Sequence, residues 1–128
     1  MRFSIGREGR LRALAKLGDP LLNFVVSAAL TLYVKSPRGV KVSNKLLRDA
    51  ASSFIARHPG VALEDLYEAL VGYAWLRGVS VDRMVDLAYR AMRGATSEEE
   101  ALKRALVKLF VELYDEEAAE FLLSRASG

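Results

Sequence analysis

The sequence predicts an all-α fold, a helical bundle of six to seven helices forming one domain over residues 1–128. Three observations carry that expectation. Apolar residues recur at three- and four-residue intervals along almost the whole chain, the period of a helix with one buried face. No stretch alternates apolar and polar residues as a half-buried strand does. Ser, Asp, Gly and Pro fall where helices start and stop, and they divide the chain into segments of helical length.

The first helix is expected from about Glu8 to Leu17, with Leu11, Leu14 and Leu17 on one face. Gly18-Asp19-Pro20 then reads as a stop, an N-cap and a first-turn proline. A second helix is therefore expected from Pro20 to about Val34, ending before the loop residues Ser36-Pro37-Arg38-Gly39. Ser43 caps a third, whose Leu46, Leu47, Ala50, Ala51, Phe54 and Ile55 share a face until His58-Pro59-Gly60 stops it. The fourth covers about Ala62 to Leu76 and turns Leu63, Leu66, Tyr67, Leu70, Val71 and Ala74 inward. The fifth starts near Ser80, buries Met84, Val85, Leu87, Ala88 and Ala91, and ends at Gly94. Ser97, with Glu100 three residues on, forms a capping box for the sixth, which carries Leu102, Ala105, Leu106, Leu109, Phe110 and Leu113. A break near Asp115 starts a seventh, ending with Phe121, Leu122 and Leu123.

Composition excludes several chemistries. The chain has no Cys, hence no disulfide framework and no thiolate ligand or nucleophile. Its one His, His58, reads as a helix-end residue and rules out a multi-histidine metal site within one chain. Met1 to Arg12 is basic and lacks the apolar core of a secretory signal. The longest apolar stretch, Leu21 to Val34, is interrupted by Asn23, Ser27 and Thr31 and falls short of the roughly 20 residues that span a membrane. A cytoplasmic protein with no membrane partner is expected. The 52% of hydrophobic residues leaves enough apolar surface for a second buried face, such as a dimer interface.

The net charge of +3 is unevenly spread: residues 1–60 hold 11 Lys and Arg against 3 Asp and Glu, and residues 61–128 hold 8 against 13. A basic half suits phosphates, and the same split also describes two complementary solvated faces.

Two polar features stand out from the helical pattern. In the second helix Asn23, Ser27 and Thr31 recur every four residues, with Asp19 one turn ahead, on an otherwise apolar segment. Such a helix belongs at the centre of a bundle, and its polar stripe needs partners. Asp19 serves there either as a plain N-cap or as the carboxylate of a deep polar site. In the fourth helix Asp65 and Glu68 lie three apart, neighbours on one face, with Gly72 one turn beyond. Paired carboxylates repel unless a cation lies between them, and Mg²⁺ and Mn²⁺ prefer such oxygens. Glu64, Asp65 and Glu68 equally suit a solvated acidic first turn favoured by the helix dipole.

Together these segments resemble the two signature segments of the ribonuclease III family. Leu17-Gly18-Asp19-Pro20-Leu21-Leu22, continuing through Val25, Val26 and Leu30, is similar to the first. Asp65-Leu66-Tyr67-Glu68-Ala69-Leu70-Val71-Gly72, with the run to Leu76, is similar to the second. Val42-Ser43-Asn44-Lys45-Leu46-Leu47 resembles the segment between them. The likeness covers roughly residues 10 to 92.

The resemblance implies an all-α endonuclease domain that binds Mg²⁺, with Mn²⁺ able to substitute, through Asp19, Asp65 and Glu68. It implies a homodimer that receives double-stranded RNA in a valley and cuts each strand to 5′-phosphate and 3′-hydroxyl ends. Such RNA is read through phosphates and 2′-hydroxyls, here by basic residues such as Arg10, Arg12, Lys35, Arg38, Lys41 and Lys45. Without a following double-stranded-RNA-binding domain, as in the short branch called Mini-III, the domain is expected to hold its substrate unaided. Tyr73 and Trp75 are expected in the core or a dimer interface, not as stacking platforms.

Two positions depart from the family pattern. Ala15 stands where the first motif usually has a Glu, and Pro20 where it usually has Ala. Mini-III also has a small residue at the first position. Glu64 or Glu8 is a candidate to replace the lost ligand. The alternative reading is a catalytically silent relative that binds RNA or joins a ribonucleoprotein assembly.

Overall fold

The chain's longest element is one unbroken 28-residue helix, α1 (Arg7–Val34), with Pro20 inside it. The computed structural model describes residues 7–56 and 60–123. After α1 come α2 (Asn44–Ser52), α3 (Leu63–Leu76), α4 (Val81–Met92), α5 (Glu98–Leu113) and α6 (Glu116–Leu123), six helices and no strand among the described residues. His58 lies outside them.

The expected break at Gly18-Asp19-Pro20 is thus corrected: two anticipated helices are one. A proline in a helix interior removes one backbone hydrogen bond. The packing of α1 offsets that loss, since Leu14, Leu22, Val25 and Val26 on either side of Pro20 are all buried. Asp19 does not cap a new helix; its Oδ1 accepts from Asn23 Nδ2 at 3.0 Å. By length and composition the continuous α1 is long and apolar enough to cross a membrane, which also corrects the argument from segment length. In the fold its Leu14, Leu22, Val25, Val26, Ala29 and Leu30 lie in the common core.

α1 and α3 form the most extensive pairing and the centre of the bundle. α3 is buried on nearly every side: Leu66, Tyr67, Ala69, Leu70, Val71, Gly72, Tyr73 and Ala74 are all inside. α2 and α5 pack against α3, α4 lies against α1 and α5, and α6 closes the end against α3 and α1. Tyr67, fully buried, donates its hydroxyl hydrogen to the Leu106 carbonyl, so its polar tip is satisfied in the apolar interior.

Most helix starts follow the local chemistry. Ser43, Ser80 and Ser97 accept from Leu46 N, Arg83 N and Glu100 N at 3.2, 3.0 and 3.1 Å. Asp115 caps α6 by accepting from Ala118 N at 2.8 Å. Each such cap is worth about 1 kcal/mol. The capping box at Ser97 is modified: Glu100 reaches back one residue further, to Thr96 N and Oγ1, both at 2.6 Å.

α2 stops earlier than its periodicity predicts. The Ser52 and Ser53 hydroxyls turn back onto the Asp49 and Ala50 carbonyls at 3.0 and 2.6 Å, and Phe54 N switches to a three-residue bond with Ala51 O. Such serine bonds compete with the regular ladder. Phe54, expected inside, is 47% exposed, resting edge-on against Phe110 and Tyr114.

Candidate active site

The site is built by the absence of two side chains. At the crossing of α1 and α3, a Cβ on Gly18 would overlap the Glu68 carbonyl, and a Cβ on Gly72 would come within 2.5 Å of the Leu14 carbonyl. Only glycine lets the two backbones approach so closely. The residue after Gly18 is Asp19, and the residue one turn before Gly72 is Glu68. Backbone contact at the glycines therefore carries these two carboxyl groups to one another.

The Asp19 and Glu68 carboxyl groups lie close enough to act on one another. The Glu68 carboxyl is pushed up to about 7, first by burial, then by the neighbouring Asp19, then by the charge of Asp65; Lys41 opposes the shift. Asp65, one turn before Glu68, is exposed. Its carboxyl is raised by partial burial and by Glu64, with Arg12 pulling it down. Glu64, the candidate extra ligand, pairs through Oε2 with Arg48 Nη1 of α2 at 3.0 Å, while its Oε1 is buried without a hydrogen-bond partner. Glu8's side chain lies outside the described residues, and Ala15 is buried in the core.

The structure thus brings Asp19 to Glu68 and leaves Asp65 on the next turn. Among the described residues no three His, Asp or Glu side chains form a ready-made metal centre. The donors still fit a hard divalent ion in type. All are carboxylate oxygens, and two of them, on Asp19 and Glu68, meet where like charges repel unless a cation lies between them.

The polar stripe of α1 finds its partners in the segment before α2. Asn23 Oδ1 accepts from Val42 N at 2.8 Å. Ser27 Oγ accepts from Val40 N at 2.8 Å and donates to the Val40 carbonyl at 3.2 Å. Thr31 Oγ1 does the same with Arg38, at 2.9 and 3.3 Å. Four helical residues rise about 6 Å, and two extended residues span about 6.6 Å, so the two repeats keep register over three rungs. The signal was in the sequence, in the four-residue spacing from Asp19 to Thr31, but its partner segment was not.

Lys41, within the zipped segment, and Arg12 of α1 are near enough for their charges to act on Glu68 and Asp65 respectively. Three of the other candidate RNA contacts have partners within the chain. Arg10 stacks on the Phe121 ring at 4.5 Å, Arg38 pairs with Glu98 at 3.5 Å, and Lys45 pairs with Asp49 at 3.0 Å. Lys35 is exposed in a left-handed conformation at φ 59°. Tyr73 is in the core, stacked on Phe121 at 4.4 Å, whereas Trp75 is 43% exposed.

A sequence search finds no matching curated protein. A family model described as ribonuclease III matches residues 12–119, a span that includes α2 to α5, most of α1 and the three signature carboxylates. That family acts generally on double-stranded RNA with divalent metal, and membership supports a nuclease-type function. The match covers most of the described helices, and the crossing it spans joins both signature segments, so the chain belongs to the ribonuclease III family.

Proposed function

We propose that the protein is a metal-dependent endoribonuclease that hydrolyses double-stranded or structured RNA to 5′-phosphate and 3′-hydroxyl ends. The observation that carries this reading is the Asp19–Glu68 pair at the glycine crossing, with Asp65 one turn away. Asp19, Asp65 and Glu68 would hold Mg²⁺, or Mn²⁺ in its place. The bound ions would supply an activated water and neutralise the leaving 3′-oxygen. Arg12 and Lys41, beside the carboxylates, offer positive charge to the phosphates flanking the cut.

A homodimer is part of the proposal. Phe24 and Leu32, two turns apart on α1, are 58% and 52% exposed, and burying such residues against a second copy would remove apolar surface from water.

The test is a labelled RNA duplex of about three turns incubated with protein and Mg²⁺ or Mn²⁺. Cuts that carry 5′-phosphates, and vanish with EDTA and in Glu68→Gln, support the proposal; equal turnover by Glu68→Gln overturns the site assignment. One specific observation favours a second reading, a catalytically silent RNA-binding relative. Ala15 occupies the usual Glu position inside the core, and Glu64 is engaged by Arg48. Duplex binding without any cut is the outcome that reading predicts.

A further inference from the structure

The amide of Asn23 sits between the two halves of the site. Its Oδ1 accepts from Val42 N at 2.8 Å, and its Nδ2 donates to Asp19 Oδ1 at 3.0 Å. The amide's orientation follows from its neighbours. The Val42 N–H is a donor and must meet the oxygen, which leaves the nitrogen for the Asp19 carboxylate. One side chain therefore fixes both a signature carboxylate and the backbone next to Lys41. Ser27 and Thr31 hold the same segment further along and touch no carboxylate. Among the three rungs, Asn23 alone joins the segment to the acidic site.

We infer that Asn23 is a positioning residue: it orients Asp19 for metal binding and, through Val42, ties the backbone beside Lys41 to the same carboxylate. The inference rests on the metal-dependent reading above and adds to it a residue that takes no direct part in the chemistry. Partners that orient a metal ligand from behind commonly change affinity or activity by roughly 10- to 100-fold when lost.

The test compares the native protein with Asn23→Leu and Ser27→Ala. Each is titrated with Mn²⁺ alone by calorimetry, followed by amide exchange, and assayed on duplex RNA. Asn23→Leu is expected to weaken Mn²⁺ binding roughly 10- to 100-fold, to speed exchange at Val42, and to lower kcat more than it raises KM. Ser27→Ala is expected to speed exchange at Val40 and leave the Mn²⁺ affinity within about twofold of native, as a rung remote from the carboxylates should. If Asn23→Leu does not fold, Asn23→Ser, whose hydroxyl is too short to span both partners, takes its place.

Native Mn²⁺ affinity in the Asn23 variant, or an equal loss in Ser27→Ala, overturns the inference and leaves the nuclease reading standing. A native protein that neither binds Mn²⁺ nor cuts RNA overturns both.

Discussion

Replacing Gly18 with alanine sets two physical effects against each other. Helix propensity alone favours Ala over Gly inside α1 by about 1 kcal/mol. The new Cβ, however, would overlap the Glu68 carbonyl and lie 2.6 Å from its carbon and 3.1 Å from Gly72 N. These are backbone atoms of a buried helix, with no rotamer to absorb the clash. Overpacking of this kind costs up to about 3 kcal/mol, occasionally more.

The expected net loss is therefore about 2 kcal/mol, or a fall of about 8 °C in Tm at roughly 4 °C per kcal/mol for a domain of this size. Separating the helices also moves Asp19 from Glu68, and a misplacement near 1 Å can cost about 100-fold in turnover. Thermal unfolding by circular dichroism reads the first effect and duplex cleavage the second. Gly39→Ala is the control: a Cβ there meets nothing within 4 Å, so the change should be neutral or stabilise by up to about 1 kcal/mol. A Gly18→Ala protein as stable as native would refute the claim that backbone contact at the crossing holds the site together.

Further expectations concern charge and capping. Glu68 is raised from 4.5 to about 7 in the folded state, so folding takes up a proton between these values, and the metal-free protein loses stability as pH rises through that window. Glu68→Gln stays neutral and should be more stable than native at pH 8 in EDTA, by about 1 kcal/mol once solvent screening of a partly exposed group is allowed for. The gap should close below pH 4.5, and paired pH-dependent melts check both points. Asp115→Ala removes the cap of α6 and a partner of Arg77 at 2.8 Å. Denaturant titration should read a loss of about 1 kcal/mol. Arg12→Gln and Lys41→Gln should each lower the slope of log affinity for duplex RNA against log salt by roughly 0.9. Arg10, stacked on Phe121 and lining a pocket with Glu117 and Glu120, should leave that slope unchanged when replaced by Gln.

Much of this architecture is legible in sequence because it is local. The serine caps of α2, α4 and α5, the Asp115 start of α6 and the inward faces of α3 and α5 all follow from spacing and side-chain chemistry. The signature carboxylates are legible too, as residue types at fixed intervals. What sequence reading misses is set by partners far along the chain. Gly18-Asp19-Pro20 carries every local mark of a helix boundary, yet α1 runs through it, packed into the core on both sides of Pro20. The ion pair of Glu64 with Arg48, sixteen residues earlier, and the stacking of Arg10 on Phe121 are contacts that spacing alone does not show. Asn23 belongs visibly to a polar stripe, but its two-sided role depends on where the Val42 backbone arrives.

The central claim is that the α1–α3 crossing assembles a metal-binding carboxylate site. Anomalous diffraction from crystals grown with Mn²⁺ tests it most directly. A manganese peak in contact with both Asp19 and Glu68 is the predicted result. The absence of a peak there at saturating Mn²⁺, with the α1–α3 crossing intact, would contradict the claim.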